Sequence, residues 1–235
     1  MAAQELYLEL MVTKARPFLI QIEGERAGYF LLDEAKCLLE YYLTDMFITR
    51  GEEVFAAILK QFSVKKALCL TFNYFLVNCC LAYQKRLKTI GISFRERIGK
   101  PSSPIPFKLT VRPASMKDEQ HIIQINEEVF DHEHEVAEYI EKGKLLIFEH
   151  DGEVAGFGIF ARVIEGRDDF DIGMLVDKKY RRRGLGETII RYLADYCEQR
   201  GWHPVCGCAV DNVGSRRSIE KAGFNAGYRL LEFIF

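Results

Sequence analysis

Residues 174–190, MLVDKKYRRRGLGETII, run from an apolar strand pattern through a basic loop into an amphipathic helical pattern that opens with two glycines. A helix N-terminus leaves its first backbone N–H groups without intrahelical partners and carries partial positive charge, and glycine lets a diphosphate approach those groups with no Cβ in the way. Lys178, Lys179, Arg181, Arg182 and Arg183 add a local positive field around Gly184 and Gly186. The GxG alone reads equally as a solvated basic turn with a glycine cap. The chain as a whole has a net charge of −2, from 32 basic and 34 acidic side chains. That balance argues against a nucleic acid or a membrane as partner, so the anion site is local.

Arg181–Gly186, RRRGLG, resembles the Q/R-x-x-G-x-G/A acyl-CoA loop of the GNAT N-acetyltransferase superfamily, with Val176 in its usual place upstream. Residues 212–224, NVGSRRSIEKAGF, are similar to that family's N-x-x-A-x-x-x-Y-x-K-x-G-F segment, matching at Asn212, Lys221, Gly223 and Phe224, with Ser215 at the small position. VRPASMKDEQ at 111–120 is similar to its first strand and helix start. The likeness spans about 107–235. It implies an α/β, GNAT-like acyl-CoA N-acyltransferase fold with a mixed, splayed central sheet, and acetyl-CoA as co-substrate with no metal. Backbone N–H groups from Arg182 through Arg183, Gly184, Leu185, Gly186 and Glu187 to Thr188 would hold the diphosphate beside Arg181, with the Thr188 hydroxyl a further donor. Leu175 and Val176 would pair main chain with pantetheine, Asn212 and Ser215 would complete the CoA set, and an N–H near Val176 would meet the oxyanion.

The family chemistry is direct attack of an acceptor amine on the thioester in a ternary complex, which needs both reactants positioned, the amine deprotonated and the thiolate reprotonated. The family's frequent general-acid tyrosine falls on Ile219, which donates nothing. Tyr228, Ser218 and Cys208 are substitutes, and Asp171 and Glu149 are carboxylates at strand positions suited to a base. Asp171, Glu149 and Tyr228 are thus the catalytic candidates. The expected function is acetyl transfer to a primary amine, in a small molecule or a peptide; a non-catalytic acyl-CoA sensor or interaction module is the alternative.

Residues 127–141 hold Glu127, Glu128, Asp131, Glu133, Glu135, Glu138 and Glu141 with no basic residue before Lys142. This acidic wall would favour a cationic amine, although a solvated helix face has the same composition. His132 and His134, two apart, are expected on different helix faces, which argues against a shared metal.

The elements that position these groups follow from periodicity. GKPSSPIP at 99–106 supports neither helix nor central strand and reads as a linker between a unit at 1–98 and a unit at 107–235. Residues 1–106 hold 14 basic and 11 acidic side chains and residues 107–235 hold 18 and 23, so charge shifts across it. In the second unit KLLIFEH and VAGFGIFARV read as a hairpin turned by Asp151 and Gly152, DFDIGMLV and HPVCGCAV as strands, 214–222 as a helix and YRLLEFIF as the unit's last strand. In the first unit GERAGY at 24–29 matches GEVAGF at 152–157, and the elements after it repeat the later half of the second unit's order. It reads as a degenerate partial repeat. Its equivalent loop, TRGEEVF, puts Glu52 and Glu53 where a diphosphate would dock, so it lacks the CoA motif. The apolar stretch Tyr74–Tyr83 is a candidate inter-domain or dimer surface, or a buried core helix. Seven cysteines lie mostly in apolar settings as packed thiols, and an acidic start without a signal-peptide pattern places the protein in the cytoplasm.

Overall fold

The computed structural model describes residues 6–99, 109–126, 129–130 and 132–235. The chain forms two compact units, one of residues through Ser93 together with Tyr228–Phe235, the other of Phe94–Gly227. The N-terminal unit holds α1 (Leu6–Lys14), β1 (Arg16–Ile22), β2 (Glu25–Leu32), β3 (Cys37–Leu43), α2 (Gly51–Phe62), β4 (Lys66–Leu70), α3 (Tyr74–Tyr83) and β5 (Arg86–Phe94). The C-terminal unit holds β6 (Glu96–Arg97), β7 (Thr110–Pro113), α4 (Glu119–Ile125), α5 (Glu133–Glu141), β8 (Leu145–His150), β9 (Glu153–Arg162), β10 (Asp169–Val176), α6 (Leu185–Glu198), β11 (His203–Ala209), α7 (Val213–Lys221) and β12 (Phe224–Asn225). Apart from Gly99, the expected linker lies outside the described residues. Among the described residues no helix is long and apolar enough to cross a membrane.

In the C-terminal unit β7, β8, β9 and β10 form an antiparallel meander, and β11 joins β10 in parallel. Asp151 and Gly152 both take positive φ, 52° and 79°, the conformation a two-residue turn needs to follow the strand twist. Buried Ile122, Val136 and Ile140 of α4 and α5 pack on the sheet face that carries Ile147, Phe157 and Leu175. α6 buries Leu185, Ile189, Ile190, Leu193, Ala194 and Cys197. A Cβ on Gly158 would lie 2.9 Å from the Leu193 side chain and 3.1 Å from Ile189, so glycine there lets the helix approach the sheet.

The N-terminal unit repeats this local geometry. Glu23 and Gly24 take φ of 54° and 88° in the β1–β2 turn. The hairpin register skips Ala27 between Ile20↔Gly28 and Gln21↔Arg26, and skips Ala155 between Phe148↔Gly156 and Glu149↔Val154. Thr44 N–H donates to the Ala27 carbonyl as Asp177 N–H donates to that of Ala155. Asn73 and Asn212 cap α3 and α7 in the same way, each side chain accepting the N–H three residues on. One skipped alanine and one asparagine cap in each half mark a duplication.

The expected boundary needs one correction. The last strand, β13 (Tyr228–Ile234), pairs antiparallel with β4 over Leu230–Ile234 and with β5 along its whole length, so it lies in the N-terminal sheet, ordered β1-β2-β3-β4-β13-β5. The reason is burial: Phe233 and Leu231 enter the core that holds Leu38, Phe55, Ala67 and Cys69. Leu230 joins Leu8, Leu39 and Leu68 on the other face. Six of the seven cysteines are buried as free thiols. Burial pushes the Cys37 and Cys197 thiols up to about 12, so they stay protonated as packed hydrophobes.

Because Phe233 is fully buried in the N-terminal core, Phe233→Ala should cost roughly 3–5 kcal/mol. Denaturant unfolding with probes in each half reads this as a loss of N-terminal stability. Deleting 228–235 should leave α2 and α3 without protected amides in hydrogen exchange; protection equal to wild type would show that β13 is dispensable.

Candidate functional site

The parallel pairing of β10 with β11 covers only Asp169↔His203, Phe170↔Pro204 and Asp171↔Val205, whereas β10 stays paired with β9 to Val176. Past Asp171 the two strands part. The gap is a cleft of about 1130 Å³ walled by Ile172–Val176, the loop residues Arg181, Arg182 and Gly184, the first turn of α6, Gly207–Ala209 and α7. Main-chain groups on the β10 edge that β11 has left face this space.

The loop from β10 to α6 is held by its own hydrogen bonds. The Asp177 carboxylate accepts from Lys179 N–H (2.9 Å), and Arg181 Nε donates to the Val176 carbonyl (2.9 Å). Glu153 accepts from Lys179 Nζ and the Tyr180 hydroxyl, both at 2.7 Å, and Lys179 above all holds that carboxyl below the usual carboxylate range. Arg182 has φ of 62° and Gly184, the N-cap of α6, has φ of 89°; alternation of handedness turns successive N–H groups inward. No side chain caps this helix start. The N–H groups of its first turn therefore point into the cleft without a side-chain acceptor. Gly186 is needed for packing as well: a Cβ there would lie 2.9 Å from Ser218 Oγ and 3.1 Å from Met174 Cε.

Of the expected CoA residues, Leu175, Val176, Arg181, Arg182, Gly184, Leu185, Gly186, Glu187, Asn212 and Ser215 all line the cleft. Thr188 and Arg183 do not. Thr188 lies one turn into α6 on its buried face, and both its N–H (3.1 Å) and its hydroxyl (3.2 Å) donate to the Gly184 carbonyl, so neither is available to a ligand. The Arg183 guanidinium lies over the Tyr180 ring, 5.9 Å from its centre. Asn212 also caps α7, its Oδ1 accepting Ser215 N–H at 3.0 Å, and Glu187 pairs with Arg191 at 3.6 Å.

The catalytic candidates separate. Tyr228 belongs to the N-terminal unit, its ring edge-on to Phe72 at 5.6 Å, because its strand completes that sheet. Glu149 accepts from Arg112 Nε at 2.8 Å, and Arg112 also grips Asp118 through two bonds of 2.7 and 2.8 Å. This cluster ties β7 and β8 to the start of α4, and Glu149 is not on the cleft wall. Asp171 sits on the sheet face toward α5 and, like Glu149, is not on the cleft wall. Burial first, then the charges of Asp171, Glu135 and Glu138, raise the Tyr139 phenol, which places the strand carboxylate beside the acidic helix. Ile219 is buried and lines the cleft, Cys208 is half-buried on the same wall, and the Ser218 hydroxyl donates to the Gly214 carbonyl at 3.0 Å.

Glu127, Glu128 and Asp131 lie outside the described residues. His132 is the N-cap of α5 and not part of the helix, so the expected separation from His134 fails; the rings stack with centres 5.4 Å apart. Among the described residues no three metal-ligating side chains gather.

The N-terminal equivalent of the cleft is filled. Phe75 follows the capping Asn73 where Gly214 follows Asn212, and a Cβ on Gly51 would meet its ring at 2.8 Å. Tyr41 stacks on Phe75 (5.2 Å), lies 5.5 Å from Phe55 and donates its hydroxyl to the Gly51 carbonyl (2.9 Å). Arg50 holds Glu53 at 2.8 Å at the helix start. The sequence signalled the carboxylates; the aromatic plug becomes visible only in three dimensions.

Residues 1–97 match the acetyltransferase (GNAT) domain, and residues 114–224 match the acetyltransferase (GNAT) family. Among solved structures, an acetyltransferase from the GNAT family of Colwellia psychrerythraea is 21% identical over 95% of this chain and 87% of its own, with a TM-score of 0.83. A GCN5-related N-acetyltransferase from Sphaerobacter thermophilus is 14% identical over 92% and 79%, with a TM-score of 0.61. A tandem GNAT protein from the clavulanic acid biosynthesis pathway is 12% identical over 99% and 88%, with a TM-score of 0.57. These likenesses establish a shared fold. No curated protein matches the chain.

The Arg112 cluster generates a pH prediction. Hydrogen bonds from Arg112 hold the Asp118 carboxyl well below the usual carboxylate range. A depressed folded-state value adds stability above the unfolded value of about 3.9 and loses it as pH falls below that. Asp118→Asn should cost about 1 kcal/mol at pH 7, since solvent screens the partly exposed Arg112. Urea denaturation should show this difference narrowing steadily below pH about 4.

Proposed function

The chain belongs to the GNAT acetyltransferase family, with one such domain at 1–97 and another at 114–224, and from that premise we propose that the C-terminal unit transfers an acetyl group from acetyl-CoA to a cationic primary amine. The observation that carries this reading is the uncapped N-terminus of α6 opening into the β10–β11 gap. The α6 cradle and Arg182 receive the diphosphate, and the freed edge of Leu175 and Val176 pairs with pantetheine. That places the thioester along β10, with a main-chain N–H near Val176 to meet the oxyanion as the amine attacks. The acceptor enters from the α5 side, where Asp171, Glu135 and Glu138 attract the ammonium and Asp171, directly or through water, takes its proton.

Ile219 removes a proton donor but not the reaction. An alkyl thiol with a pKa of about 8.5 can leave as the thiolate and collect its proton from water or from the Cys208 thiol. Positioning and electrostatics remain, so turnover is slower and not abolished. The same isoleucine supports a second reading, an acyl-CoA sensor without turnover. The packed, protonated thiols fit a reducing compartment, and we assign the protein to the cytoplasm.

Calorimetry of the full chain should show acetyl-CoA binding, and Gly184→Glu should abolish it by placing a carboxylate in the cradle at a φ of 89°. Folded wild type that binds no acetyl-CoA sinks the assignment. With binding shown, thiol release across an amine panel decides between enzyme and sensor: no acceptor above background hydrolysis selects the sensor.

Replacing Glu133, Glu135 and Glu138 by glutamine keeps shape and removes charge. The acceptor kcat/KM should fall, and its decline with salt should flatten, because the Debye length is about 10 Å at 0.1 M. Unchanged values would reduce the acidic face to solvated surface.

A further inference from the structure

We propose that α7 carries a phosphomonoester site on the cleft wall, through which the protein selects CoA over its 3′-dephospho form. The inference rests on the reading of the cleft as an acyl-CoA site and assigns the end of the ligand that lies against α7. Val213, Arg217 and Lys221 recur at i, i+4 and i+8 along the helix, all three exposed and all three lining the cleft. One register away the helix pairs its charges in the ordinary manner, Arg216 Nε donating to Glu220 at 2.9 Å. On the cleft stripe it sets two cations four residues apart, an arrangement that works against the helix. The dipole at the helix C-terminus accounts for Lys221 in the last turn but not for Arg217 in the middle of nine residues.

Among the described residues neither Arg217 nor Lys221 has a carboxylate partner. Two unpaired cations about 5–6 Å apart at Cβ can close on a single anion. The α6 cradle, on a different element, is matched to the diphosphate, which leaves the α7 stripe for a second, separate anion. Val213 supplies the neighbouring contact: it is 52% exposed one turn before Arg217 and offers an apolar surface to a purine ring. An apolar seat followed by paired cations is complementary to an adenosine bearing a phosphate dianion on its ribose.

The test is calorimetry of the full chain with acetyl-CoA and with acetyl-3′-dephospho-CoA, on wild type and on Arg217→Gln/Lys221→Gln, with thermal melts to establish folding. Wild type should bind the phosphorylated ligand about ten-fold more tightly, and the ratio should approach one in the double variant. The wild-type ratio should also shrink as salt rises from about 0.05 to about 0.5 M. Equal affinity of wild type for both ligands overturns the phosphate site and leaves the acyl-CoA reading intact. A ratio retained by the double variant overturns the part given to α7. Binding of neither ligand by folded wild type overturns the acyl-CoA reading and this inference together.

Discussion

The site depends on one event in the sheet, the parting of β10 and β11 after Asp171. A parallel pair that continued to Val176 would satisfy its own main chain and leave no cleft. By ending early, it frees a row of backbone groups that need partners, since an unpaired polar group shut away from water is costly. It also sets the α6 N-terminus over the opening. The N-terminal unit tests this constraint within the same chain. There β3 pairs with β4 only at Cys37↔Lys66 and Leu38↔Ala67, and the gap is packed with Tyr41, Phe55 and Phe75. A cleft of this fold is filled by side chains or left open for a ligand, and this protein does one in each half.

The position of β13 gives the duplication a second consequence. Half of a repeated unit cannot close its sheet alone, because β4 and β5 would each present an unpaired edge. The final strand of the chain occupies that place and contributes Leu230, Leu231 and Phe233 to the two N-terminal cores. The N-terminal unit is therefore complete only when the last residues of the chain have joined it. Its stability is coupled to a segment more than 130 residues away from β5 in sequence. Such non-local closure slows folding, since loop entropy is lost before the contacts form.

What the sequence made legible was local. The RRRGLG loop and the Asp151–Gly152 turn each write their conformation within a few residues, and the structure has both. What it hid was the choice of partner. YRLLEFIF alternates as a strand in either unit, and the burial of Leu230, Leu231 and Phe233 in the two N-terminal cores selects the N-terminal sheet. Glu149 looked like a base until Arg112, 37 residues earlier, took it. Thr188 looked like a ligand donor, but helical phase turned its hydroxyl onto Gly184. The helical phase of α5 says nothing about His132, which lies before the first turn.

Arg181, Arg182, Arg217 and Lys221 line the cleft from the α6 loop and α7, whereas Glu133, Glu135 and Glu138 lie on α5 and Asp171 on β10. In the proposed reaction, sorting of this kind would keep an anionic donor and a cationic acceptor from competing for one place, because each would be repelled by the other's wall. It also sets an opposition within the proposed chemistry. Carboxylates that draw an ammonium toward the thioester stabilise its protonated form, whereas attack needs the free amine. Strengthening the acidic wall therefore raises encounter and lowers the reactive fraction. In the proposed reaction a carboxylate at Asp171 would resolve part of this conflict, attracting the cation and then accepting its proton. The residual cost is a rate that rises with pH until the bound amine is neutral, and an acidic wall that is useful only while its attraction outweighs that loss.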